Sequence, residues 1–258
     1  MKVKVEKVAE RIGGICSGWV AVEAVCLSEL SGEDILDPYF SLSFDVFHSA
    51  PLPALDERRR AFEAMGVGAF ESALVQTKDR FLLDGLPLRL EYKPLAALEL
   101  FLDGSPAGRA SLLAAGTYPL HRLMNGRVLF DRSGWIASVR SRCHALPPGE
   151  WEALRELTLA RMEHSLADLA ASARRDDPYF YLESIAGFAR QALSLVFIIN
   201  RVYEPSHRSI ESRFKELPLL PDDFLGRWES LLRADLGITK EQRYEIANLI
   251  AKSILSLG

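Results

Sequence analysis

Cysteine is scarce in this chain: Cys16, Cys26 and Cys143 are the only three among 258 residues. Their odd number and wide separation give neither a disulfide framework nor metal-ligand spacing, so reduced thiols in a cytosol are the expectation. Histidine is scarce as well, with five residues. None sits in H-x-x-E-H, in H-E-x-x-H or beside a cysteine at zinc spacing, so zinc chemistry has no support. Neither G-x-S-x-G nor G-x-x-x-x-G-K-[ST] occurs, which removes nucleophile-elbow serine hydrolases and P-loop triphosphatases. Charge of one sign is missing too. A formal net charge of −4 argues against coating nucleic acid by bulk electrostatics, so any anion site must be local. Long apolar runs are absent: lysines followed by IGGICSGWVAVEAVCL faintly suggest a signal peptide, but Glu23 interrupts the run and no small-residue cleavage site follows cleanly. No window reads as an uncharged transmembrane length, so the expectation is a cytoplasmic protein with no membrane partner. Internal repeats and low-complexity tracts are also missing.

What is present is ordinary in amount and distinctive in pattern. Hydrophobic residues make up 48% of the chain and charged residues 26%, the balance of a soluble protein of one large or two modest domains. The stretch around which the rest is organised is LDPYFSLSFDVFH, residues 36–48. In it Leu42, Phe44 and Val46 alternate with Ser41, Ser43 and Asp45, the period of a strand with one buried face. Ser43 and Asp45 therefore share the polar face. LRLEYK, residues 88–93, repeats the pattern and sets Glu91 on a polar face between Arg89 and Lys93. Two carboxylates on neighbouring strands can hold a divalent cation, because Mg²⁺ accepts one or two of them and lets substrate phosphates complete its shell.

Around these strands the spacing predicts a short amphipathic helix over 2–16, a first strand over 20–27, and a helix begun by Asp56. Residues 70–76 fit either strand or helix. A hairpin turns at Asp84-Gly85, helices cover 95–102 and 107–115, and a strand runs over 127–131. After Pro147 strand signals stop. Trp151, Leu154, Leu157, Met162 and Leu169 form one helical stripe, and residues 179–203 are apolar nearly all round, as in the centre of a bundle. Thr239 and Gln242 form a capping box for a last helix whose Ile246, Leu249, Ile250, Ile254 and Leu257 face inward. The expected fold is α+β, with a mixed sheet and flanking helices over 1–146 and a helical bundle over 147–258.

This order of elements resembles the nucleotidyltransferase superfamily that includes DNA polymerase β and the aminoglycoside nucleotidyltransferases. The Gly-Ser turn of that family is matched by Ser31-Gly32, its D-h-D strand by Ser43-Phe44-Asp45, and its later h-D/E-h strand by Leu90-Glu91-Tyr92. Two departures stand out: the turn reads Ser-Gly, and a serine fills the first carboxylate slot. Residues 127–134 look like the closing edge of the family's catalytic core, and the second half looks like the helical domain of aminoglycoside-type members. The closest likeness is to an uncharacterised bacterial nucleotidyltransferase-like group with DPYFSLS-type strands and K-D-R-F segments. The resemblance implies Mg²⁺ (or Mn²⁺) on Asp45 and Glu91, an NTP as substrate, and transfer of a nucleoside monophosphate to a hydroxyl of a small molecule or protein. It also implies Ser31-Gly32 against a phosphate.

Competing readings stand beside each assignment. Asp45 and Glu91 also suit the polar faces of half-exposed strands, and Ser31-Gly32 suits an ordinary loop. Lys78, Arg80, Arg89 and Lys93 cluster at the hairpin, either to neutralise a triphosphate or as a solvated charged face. Lys215, following Tyr203-Glu204-Pro205, resembles a cleft-facing lysine of the family's helical domain; an ordinary helix-surface lysine is the alternative. With Ser43 in place of a carboxylate, the first of two metals loses a charged ligand. Asp34 or Asp37 of the acidic loop would be the stand-ins. The second functional reading is a catalytically inactive nucleotide- or partner-binding protein on the same fold. A third carboxylate near Asp45 favours the enzyme, and its absence favours the binder. No sequence feature fixes an oligomeric state.

Overall fold

A computed structural model describes residues 2–28, 40–114, 116–233 and 237–257. The chain divides into two compact units. The first comprises Met1–Ser111 with Leu120–Ala145, and the second Leu112–Pro119 with Leu146–Gly258.

In chain order the first part runs α1 (Lys2–Ser17), β1 (Val22–Leu27), β2 (Leu42–His48), α2 (Leu55–Glu63), β3 (Gly68–Ser72), β4 (Lys78–Leu83), β5 (Leu86–Pro94), α3 (Leu95–Leu102), α4 (Pro106–Ala114), α5 (Tyr118–Asn125), β6 (Arg127–Asp131) and α6 (Trp135–His144). The strands form one six-stranded mixed sheet in the order β3-β4-β5-β2-β1-β6. β2 and β5 pair in parallel at its centre, and every other pairing is antiparallel. A parallel pair needs a crossover longer than a hairpin turn, and α2 with β3 and β4 supplies it. The β4–β5 hairpin closes at Asp84-Gly85, both with positive φ (51° and 73°), the backbone that a two-residue primed turn requires.

The period-2 pattern decides which side chains each face receives. Leu42, Phe44 and Val46 of β2 and Leu88, Leu90 and Tyr92 of β5 lie in one apolar core with Val5, Val8, Ala9, Ile12 and Cys16 of α1 and Phe62 of α2. Those α1 positions recur at three and four residues, so a single stripe of the helix covers the sheet. The other face carries Ser43, Asp45, Arg89, Glu91 and Lys93, with Phe47 packed on Trp135 of α6 at a centroid distance of 5.1 Å.

The second unit is helical: α7 (Pro148–Ala173), α8 (Pro178–Ile199), α9 (Ile210–Phe214), α10 (Phe224–Leu232) and α11 (Lys240–Leu255). Its core joins Met162 and Leu169 of α7, Phe188, Ala192, Val196 and Phe197 of α8, and Phe214, Phe224 and Trp228. Thr239 and Gln242 make the expected capping box at the start of α11.

Several expectations are corrected. Asp56 is not a cap: α2 starts at Leu55 with Ala54 as N-cap and no side-chain bond, and Asp56 sits in the first turn, where its charge favours the helix dipole. Residues 70–76 resolve as the strand β3 over Gly68–Ser72. Helices α5 and α6 were not foreseen; both are short, and their burial depends on the sheet they cover. In α11, Leu249 is 47% exposed and Ala247 and Ala251 are buried in its place, which turns the inner face by about one residue from the expected one. α8 has the length and mean hydropathy (22 residues, 1.5) to cross a bilayer, contrary to the reading of no such window. Half of that window is buried within the protein, where Phe188, Ala192, Val196 and Phe197 belong to the bundle core.

Candidate functional site: a carboxylate pair under a guanidinium

Asp45 and Glu91 are direct register partners across the parallel β2–β5 pair, so both carboxylates rise from the same face of adjacent strands. Asp45 is 1% exposed. Above them lies Arg122 of α5. Leu120 and Leu123 bury the inner side of that helix. Arg140 of α6 donates through Nε to the Leu123 carbonyl at 2.9 Å and through Nη2 to the Gly126 carbonyl, which ties down the end of α5 where backbone carbonyls lack helical partners. Arg122 is thereby held with its side chain 5% exposed.

The guanidinium spans the two acids. Its Nη2 donates to Asp45 Oδ1 at 2.6 Å and its Nη1 to Glu91 Oε2 at 3.2 Å. Lys93 Nζ sits 2.7 Å from Asp45 Oδ1 and 3.8 Å from Glu91 Oε2, and Arg89 Nε is 3.2 Å from Glu91 Oε1. The two carboxylates therefore do share cations, and the cations are a guanidinium and an ammonium. Burial works to raise the Glu91 carboxyl, but Arg122, Lys93, Arg89 and Lys78 together hold it below its ordinary value of 4.5. Cys26, the β1 register partner of Asp45, is a poor candidate ligand, because burial pushes its thiol up to about 12 and keeps it neutral.

The structure brings together most of the residues singled out from sequence. Ser43 shares the face with Asp45, and its Oγ accepts from Arg89 Nη2 at 3.0 Å. Lys78 stands opposite Glu91 on β4, and Arg80 opposite Arg89. Lys215 lies in the second unit, 3.1 Å from Glu211 one turn back, an exposed pair of the ordinary helix-surface kind. Ser31 and Gly32, with Asp34 and Asp37, lie outside the described residues. Among the described residues no group of three or more histidines, cysteines, aspartates and glutamates is placed to hold a metal ion.

Sequence reading missed Arg122. Its signal was thin: Leu120 and Leu123 recur at i, i+3 within Tyr118–Asn125, a segment too short for periodicity alone to name a helix.

Residues 113–208 match the family model for a domain of unknown function (DUF4037), a stretch running from the end of α4 through α8. Over 95% of its length the chain is similar to the crystal structure of a nucleotidyltransferase-like protein from Exiguobacterium sibiricum 255-15, at 14% identity and a TM-score of 0.49, covering 72% of that chain. Comparison with curated proteins gives no match.

Proposed function

We propose that the polar sheet face of the first unit is a nucleotidyltransferase-type site, which moves a nucleoside monophosphate from an NTP to a hydroxyl of a small molecule or protein. The observation that carries this reading is the direct Asp45–Glu91 pairing across β2 and β5, with one guanidinium reaching both acids. Asp45 and Glu91 are hard oxygen donors of the kind Mg²⁺ or Mn²⁺ takes; they would hold such an ion where Arg122 and Lys93 yield the Asp45 carboxylate, and it would neutralise phosphate charge there. Lys93 is 25% exposed on a flexible stem, so it is the group placed to leave Asp45 and meet a phosphate. Arg122, buried and fixed by α5, stays to hold Glu91. Ser43 is engaged by Arg89 and supplies no charge.

A second reading is favoured by the same contacts. The acids are already neutralised by Arg122, Lys93 and Arg89, and the described residues offer no third acid beside them. That arrangement suits a catalytically inactive protein that binds a nucleotide or a partner.

Calorimetry with each of the four NTPs, in Mg²⁺ and in EDTA, tests the site, and label transfer from the same NTPs separates the two readings. Binding at least tenfold tighter in Mg²⁺, lost in Asp45→Asn, is expected. A variant that keeps the full Mg²⁺ effect makes Asp45 a structural residue.

A further inference from the structure

We propose that the helical unit carries a small-molecule site of its own, a cavity of about 200 Å³ that takes a phosphate-bearing, hydroxylated ligand. All its walls come from the second unit. Thr158 and Arg161 of α7, three residues apart, share one helix face. Arg190, Gln191, Ser194 and Ile198 of α8 share another. Glu204 and His207, just beyond α8, and Gly116-Thr117 complete the walls.

Two buried polar groups mark this cavity as more than a packing gap. Thr158 is 1% exposed, and its Oγ1 has no hydrogen-bond partner. A buried hydroxyl left unpaired costs about 1–3 kcal/mol, so one that borders a cavity is a place for a ligand oxygen. Glu204 is 3% exposed, with Oε2 accepting from the Ser194 hydroxyl at 2.5 Å and its backbone N–H donating to Thr117 Oγ1 at 2.8 Å. Gly116 (φ 71°) makes room for it, since a Cβ there would lie 1.9 Å from Glu204 Oε1. Burial raises the Glu204 carboxyl above its ordinary value, against the opposing pull of the Ser194 bond and of His207 and Arg190.

Ligand class follows from the charges. Two guanidiniums, those of Arg161 and Arg190, line the cavity against one acid, Glu204. Guanidiniums bind tetrahedral oxyanions through paired donors, which matches a phosphate better than a neutral molecule. Thr158, Gln191 and Glu204 are left for hydroxyls on the same ligand. This site is independent of the carboxylate pair in the first unit.

Inorganic phosphate is the probe, titrated against NaCl at matched ionic strength with melting temperature and calorimetry as readouts. Wild type should show saturable stabilisation by phosphate. Arg190→Ala, at an exposed position, should weaken it at least tenfold with the fold intact. Thr158→Val should melt no lower than wild type without phosphate, because it removes the unpaired hydroxyl, yet bind phosphate several-fold more weakly. Asp45→Asn should respond as wild type does, which separates this site from the proposed transferase site. Glycerol phosphate binding more tightly than free phosphate supports a hydroxylated phosphate ester, and equal binding overturns the hydroxylated part of the proposal. A wild type without saturable stabilisation, or an Arg190→Ala response equal to wild type, means a solvent-filled cavity only and overturns the proposal.

Discussion

The two faces of the central sheet each carry a charged cluster, and the clusters differ in how completely they are closed. On the α1/α2 side, Arg58 donates to both oxygens of Asp79 at 2.9 and 3.3 Å, and the Tyr92 hydroxyl donates to Asp79 Oδ2 at 2.6 Å. Arg58 also donates to the Pro53 carbonyl and stacks over the Tyr92 ring at 5.0 Å. Side-chain exposures are 2% for Arg58 and 0% for Asp79. Every strong donor there has an acceptor within the fold, and no water-accessible group remains to exchange for a ligand. On the opposite face Asp45 and Arg122 are equally buried, but Glu91 is 14% exposed and Lys93 25%. One cluster is a sealed structural joint. The other has a buried half and a half that can trade partners with solvent, the property the proposed site requires.

Removing one acid from each cluster should give unequal losses. Asp79→Asn leaves Arg58 as a fully buried cation without its counter-charge, and breaking such a pair costs about 3–5 kcal/mol. In Asp45→Asn, Lys93 turns to water and Arg122 keeps Glu91, so a loss of about 1–2 kcal/mol is expected. Urea unfolding of both variants measures the difference. Equal losses would mean that the Asp45 face is as rigidly structural as the other, and the site assignment would lose its main support.

How much of this was legible in sequence differs between the faces. The alternation in LSFDVFH and LRLEYK placed Asp45 and Glu91 on one face each, and pairing of the two strands then brought them together. For Asp79 the signal was equally plain. Asp79, Phe81 and Leu83 alternate with Lys78, Arg80 and Leu82, so the aspartate of K-D-R-F had to turn inward with the two apolar residues. Reading that segment only as a charged cluster hid this. Arg122 and Arg58 lay beyond local pattern altogether. Each comes from a helix whose packing on the sheet is a tertiary event, and nothing within several residues of either names its partner. The parallel register of β2 and β5 was likewise set by the crossover rather than by either strand's own sequence.

The clusters should also fail at opposite ends of the pH scale. Burial, then the nearby Asp79 charge, raises the Tyr92 hydroxyl well above its ordinary 10.0. The folded state thus holds a proton that the unfolded chain releases, and stability is full below about 10 and lost as pH rises beyond it. Glu91 behaves in the opposite sense, since its carboxyl is held below 4.5 in the folded protein. Its contribution is full above that value and is lost as pH falls toward the folded pKa. Tyr92→Phe should flatten the alkaline limb of the stability profile and Glu91→Gln the acid limb, each read from unfolding midpoints between pH 3 and 11. A Glu91→Gln variant with an unchanged acid limb would show that Arg122 and Lys93 do not hold this carboxylate in solution.

The smallest effect is expected at Ser43. A carboxylate at this position would give the strand a D-h-D pattern, and two adjacent acids alone would repel and lower stability. Here Arg89 already donates to Ser43 Oγ at 3.0 Å, and the new charge would fall on that guanidinium. Ser43→Asp in EDTA should therefore stay within about 1 kcal/mol of wild type, the range of a partly exposed ion pair. The two faces then diverge in their response to metal. If the Asp45 face holds a cation, Ser43→Asp should enlarge the melting-temperature rise caused by Mg²⁺, because a third oxygen ligand and a further negative charge join the site. Arg89→Ala in the same background should enlarge it again by releasing that carboxylate from its ion pair. Paired melts with Mg²⁺ and with EDTA read both steps. If neither variant responds to Mg²⁺ more than wild type does, position 43 does not face a cation, and the Ser43-Phe44-Asp45 alignment with a metal-binding strand fails.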